Sequence, residues 1–131
     1  MKQTEGIFYA VSHTEEAETP GNAEFVAKYK EMYGDQPVPE DAADAFAAAQ
    51  VMAAAVEAEG TCSKKNQTKL ADWLRANEVE TILGPISWDE KGAPEGEFLI
   101  GQWQDGKTEI VLPEAAATSD AIVKTYGGEQ P

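Results

Sequence analysis

The 131-residue sequence predicts a mixed α and β fold, and three observations predict it. An Ala-rich stretch from Glu40 to Glu59 is dominated by the best helix former. Apolar and polar residues alternate through Ile86-Ser87-Trp88 and again near Phe98 to Trp103, the pattern of half-buried strands. The elements then fall in the order strand, three helices, further strands, which fits either an α/β or an α+β fold.

Each element can be justified in turn. Gly6 to Val11, GIFYAV, reads as a strand, and the polar run Ser12 to Gly21 as a loop. Asn22 is placed to cap a helix from Ala23 to Tyr33. Phe25, Val26, Tyr29, Met32 and Tyr33 follow at helical spacing, and Gly34 stands just past the end. Pro37 and Pro39 forbid a continuous helix into the next segment. In the helix Glu40 to Glu59, the sequence suggests a packing face of Ala42, Ala45, Phe46, Ala49, Met52, Ala53 and Val56, with Gly60 as terminator. A third helix, about Asn66 to Ala76, places Leu70, Trp73 and Leu74 on one side.

Thr81 to Lys107 holds two of the three Trp and five of the eleven Gly. It reads as extended pieces, Thr81-Ile82-Leu83, Ile86-Ser87-Trp88 and Phe98 to Trp103, separated by turns. Asp89-Glu90-Lys91-Gly92 supplies one turn, because Asp accepts hydrogen bonds from amides just downstream and Gly tolerates positive φ. Asp105-Gly106 is a hairpin signal, with Thr108 to Leu112 returning. Beyond Pro113, residues 114–131 read as a weakly ordered tail, in which Asp120 to Tyr126 has the makings of a short strand or helix.

Composition narrows the function. With 24 acidic against 10 basic side chains the net charge is −14, which repels nucleic acid and anionic membranes. No run approaches the length of a membrane span, and no charged and apolar leader opens the chain. The single Cys62 excludes an internal disulfide. His13, the only histidine, reads as a solvated loop residue, and with one Cys it makes a zinc site improbable. No P-loop, G-x-G-x-x-G or G-x-S-x-G occurs, so neither a cofactor nor a nucleophile–base set is implied. Asp41 and Asp44 lie near a helix N-terminus, where negative charge is favoured for structural reasons. The residues by themselves therefore point away from an enzyme and from a metal protein.

The ordered set Gly84, Pro85, Trp88, Asp89, Gly92, Trp103 and Gly106 resembles the C-terminal region of the branched-chain amino-acid-binding proteins. These are type I periplasmic solute-binding proteins of ABC importers. The resemblance runs from about Glu5 to Pro113. It implies an α/β chain with part of the periplasmic-binding-protein type I fold: three helices, hinge-crossing strands and a C-terminal hairpin. Residues 1–131 would then be a single domain or fragment from a two-lobed protein, with any signal or lipid anchor in the N-terminal part. Its partners would be a small-molecule solute in the full-length parent and an ABC permease, and its location periplasmic or at the cell surface.

The same resemblance places Phe46 where family members carry an aromatic facing the cleft, so Phe46 is the candidate ligand-binding residue. Trp88, Asp89 and Gly92 are candidates for a structural turn. A different expectation is an interaction module: the apolar face of Glu40–Glu59 and the strand Ile7–Val11 would pair with a second copy, as a homodimer whose mutual repulsion salt would screen.

Overall fold

A computed structural model describes residues 5–95 and 98–123. The described chain forms two compact units, residues 5–12 with 98–123 and residues 13–95.

The first unit is a three-stranded antiparallel sheet in the order β1-β5-β6, built from β1 (Phe8–Val11), β5 (Leu99–Gln104) and β6 (Lys107–Leu112). Val11 is paired with Leu99, so the chain leaves this unit and re-enters it on neighbouring strands. The β5–β6 turn places Asp105 at φ 52° and Gly106 at φ 79°, two consecutive left-handed residues that match the twist of a tight hairpin. Gly101 stands opposite Tyr9, and a Cβ there would lie 2.8 Å from Tyr9 Cζ, so the strand has room only for Gly beneath that ring.

Residues 118–122 are hydrogen-bonded to this sheet. Gln102 and Gln104 point to one face of β5 and are buried. Gln102 Nε2 donates to the carbonyls of Gly6 and Ile122, and its Oε1 accepts from the Ile122 amide. Gln104 donates to Asp120 O and accepts from the Ser119 hydroxyl. Thr118 Oγ1 accepts from the Ile110 amide. The Thr118 and Ser119 amides also donate to Ile110 O, so strand side chains and backbone together hold this segment, which no local pattern in it encodes. Positions 124–131, with the remainder of the strand or helix expected over Asp120 to Tyr126, lie outside the described residues.

The second unit contains α1 (Asn22–Tyr33), α2 (Glu40–Glu59), α3 (Gln67–Ala76) and the antiparallel sheet β2 (Val79–Thr81), β3 (Gly84–Trp88) and β4 (Pro94–Glu95), in that strand order. A turn of 3₁₀ helix over Lys64–Asn66 leads into α3. Gly34 closes α1 at φ 87°, its amide bonded to Lys30 O.

Three readings of this unit change. The extended run Thr81-Ile82-Leu83 ends at Thr81, and Ile82-Leu83 form the turn into β3. That turn is fully buried at Ile82 and satisfied by side chains: Gln50 Oε1 of α2 accepts from the Ile82 amide at 2.9 Å, and the Thr19 hydroxyl donates to Ile82 O. Asn22 does not cap α1; Gly21 precedes the helix and no side chain caps it. Finally, α2 buries Ala43, Ala47, Val51 and Ala55, while Ala45, Phe46, Ala49, Met52 and Ala53 of the expected packing face are exposed. The helix is apolar on nearly every side, so periodicity cannot select a face. Small side chains at Ala43 and Ala47 let the backbone approach Ile82, with Phe25 and Leu83 packed around them.

Candidate functional site

The second unit carries an apolar groove of about 320 Å³. Asp44, Ala47, Ala48, Val51 and Met52 of α2 form one wall, and Leu83, Ile86 and Trp88 from the β2–β3 hairpin form the other. Helical geometry explains the first wall, since 44, 48 and 51 follow one another along a single face. Strand alternation explains the second, since Ile86 and Trp88 share a side of β3. Asp44 brings a carboxylate to this wall. Such a groove offers apolar area to a nonpolar group.

Trp88 is held by the turn that follows it. Asp89 Oδ1 accepts from the Lys91 and Ala93 amides, both at 2.8 Å, and Gly92 sits at φ 81°. The Asp89 amide donates to Ala93 O and the Gly92 amide to Asp89 O, which returns the chain into β4. The turn therefore fixes the end of β3 that carries the indole.

Phe46 lies elsewhere on α2. It does not line the groove but packs on Phe25, with ring centroids 4.8 Å apart, and remains 44% exposed. Phe25 is also met edge-on by His13 and followed along α1 by Tyr29 and Tyr33, so five rings form one connected cluster branching at Phe25.

His13 is buried, not solvated. Its Nε2 lies 2.8 Å from Asn22 Oδ1, while Asn22 Nδ2 donates to the carbonyls of Thr14, Glu15 and Ala17. With Nδ2 engaged by three carbonyls, Oδ1 accepts and the ring nitrogen donates. Glu15 completes the loop: its carboxylate takes Lys30 Nζ at 2.5 Å and the Val38 amide at 2.8 Å. The Lys30 hydrogen bond, joined by the Val38 amide and opposed by burial, holds the Glu15 carboxyl below its ordinary range. Sequence reading missed this pair because a polar residue in a polar loop carries no periodic signal. The one available hint is a lone Asn beside Gly21 at a helix start.

Among the described residues, no group of three His, Cys, Asp or Glu side chains is placed to hold a metal, and no helix is long and apolar enough to cross a membrane.

The described residues form an α/β scaffold that presents an apolar groove. A family model described as "Periplasmic binding protein" matches residues 1–108, and the chain belongs to that family. It is 33% identical over 107 residues to a "Leu/Ile/Val-binding protein homolog 7" of Brucella suis biovar 1, covering 78% of this chain and 26% of that protein. It is 38% identical over 50 residues to the Leu/Ile/Val-binding protein of Escherichia coli K12, covering 37% of this chain and 14% of that protein. An ABC transporter substrate-binding protein from Desulfitobacterium hafniense, solved in complex with Leu, matches at a TM-score of 0.69 and 21% identity over 82% of this chain and 31% of that one. A solute-binding protein from R. palustris in complex with benzoate matches at a TM-score of 0.67 and 22% identity, over 91% of this chain and 33% of that one. These structures share the fold. The chain spans about a quarter or less of the length of these curated relatives and about a third of these solved ones. The matching family and relatives are described as binding proteins. Its family is typically periplasmic.

Proposed function

We infer that this chain forms the C-terminal part of the solute-binding component of an ABC importer, specific for small solutes with an apolar body such as branched-chain amino acids or related amides. The observation that carries this reading is the 33% identity to a Leu/Ile/Val-binding homologue over 107 residues, 78% of the chain but only 26% of the relative. In this reading residues 1–131 supply one portion of two closing lobes, the remainder of the parent supplies the groups that hold the ligand's charged ends, and a membrane permease receives the solute. The parent works in the periplasm or at the cell surface, with its export signal in the N-terminal part. Phe46, half open and backed by Phe25, offers the solute an apolar wall and no hydrogen bond.

A chimera tests it. Residues 1–108 replace the matching segment of the Brucella homologue, and calorimetry measures Leu, Ile, Val and short amides. The expected result is micromolar binding of at least one, weakened about tenfold or more by Phe46→Ala, the scale of a lost aromatic contact. The isolated chain should bind them only in the millimolar range or not at all. A folded chimera that binds none of these solutes overturns the reading.

A second reading, a non-enzymatic interaction module, draws on the exposure of Phe46 (44%) and Met52 (49%) on α2. It asks what covers that helix.

A further inference from the structure

The ring of Phe46 rests on Phe25 of α1, with centroids 4.8 Å apart and planes tilted by 37°. Phe25 is half-buried and packs against the core of Ala43, Ala47 and Ile82. Ala43 and Ala47 stand on either side of Phe46 in the sequence of α2, and their small side chains leave room for the Phe25 ring against that helix. His13 meets the same ring edge-on, at 6.0 Å and 87°. It is buried, and Asn22 Oδ1 holds it at 2.8 Å, with Asn22 itself bonded to three loop carbonyls. Phe25 is thus gripped by the core and by His13 while it carries Phe46, whose other side is open. All of these residues lie within one compact unit.

We propose that Phe25 is a positioning residue that sets, through Phe46, the size of the apolar body the solute site accepts; this rests on the reading of Phe46 as a solute wall. Packed side chains transmit volume changes to their neighbours because interiors hold few voids. A ring fixed from behind cannot yield, so the bulk at position 25 decides how far Phe46 stands out from α1 and α2. A smaller side chain there lets Phe46 settle inward and makes room for a larger solute. A larger one pushes Phe46 outward and favours a smaller solute. Because one methylene in an apolar pocket changes discrimination by about tenfold or more, a modest shift of this ring is enough to move the preference between aliphatic and aromatic solutes. A residue that merely held α1 against α2 would weaken every solute alike.

The test uses the chimera that carries residues 1–108 and two free amino acids, valine and phenylalanine. These share their charged ends and differ only in the apolar body, so the ratio of their dissociation constants reads size preference. Calorimetry measures both, and circular dichroism verifies the fold of each variant. Phe25→Leu should move the ratio about tenfold or more toward phenylalanine, and Phe25→Trp should move it as far toward valine. Opposite shifts are a signature that simple loss of stability does not produce. Should one variant fail to fold, the other still reads the ratio. An unchanged ratio in a folded variant, or a shift of both variants in the same direction, overturns this proposal and leaves the solute reading standing. A folded wild-type chimera that binds none of the solutes overturns both.

Discussion

Asn22 and Glu15 between them tie down residues 13–21. The Asn22 side chain accepts from His13 and donates to three loop carbonyls, and it is fully buried. Asn22→Ala should therefore cost about 2–3 kcal/mol, since it leaves buried polar groups without partners. Asn22→Asp should be no better, because it faces three carbonyls with an acceptor in place of a donor; urea midpoints that separate Asp from Ala by most of the loss would contradict this. Glu15 adds a pH dependence whose sign follows from its lowered carboxyl pKa. A lowered folded value stabilises above the unfolded carboxylate range and is lost as pH falls through the folded value. Wild type should thus exceed Glu15→Gln by about 1 kcal/mol or less near neutrality, the scale of a partly exposed ion pair. The difference should vanish in acid, as followed by denaturation at a series of pH values.

At the level of turns and strands, two devices set geometry. The Asp89 carboxylate accepts two amides to shape the turn after Trp88. Asp89→Ala should cost about 0.5–2 kcal/mol, the range of a lost cap. Glu90→Ala, at an exposed turn position, should cost far less, and equal midpoints for the two would refute the assignment. In the other unit, Tyr9 lies across Gly101. Gly101→Ala should destabilise by about 1–3 kcal/mol as an overpacked contact. Combining it with Tyr9→Ala should remove most of that penalty, a coupling that a double-mutant cycle measures.

For the whole molecule, charge is the property that composition alone dictates. A net charge of −14 opposes compaction through self-repulsion, and salt screens it within about 10 Å at 0.1 M. The thermal midpoint should rise as sodium chloride increases from about 10 to 150 mM; a flat or falling midpoint would show that the charges are already compensated locally.

The sequence by itself determined the order of elements, because Gly, Pro and the periodicities act locally. Gly34 and Gly60 end helices, Asp105-Gly106 turns the hairpin, and Ala fixes α2 as a helix. The ordered motif from Gly84 to Gly106 likewise sufficed to indicate the family. Only the tertiary structure decided which side of α2 is buried: in a helix apolar nearly all round, the face is chosen by how closely Ala43 and Ala47 meet Ile82. It also decided that His13 is interior, that Gln102 and Gln104 strap residues 119–122 to β5, and that Trp88, not Phe46, lines the groove. Each of these depends on groups distant in sequence satisfying one another's volume or hydrogen bonds, and a one-dimensional pattern carries no record of which partners meet.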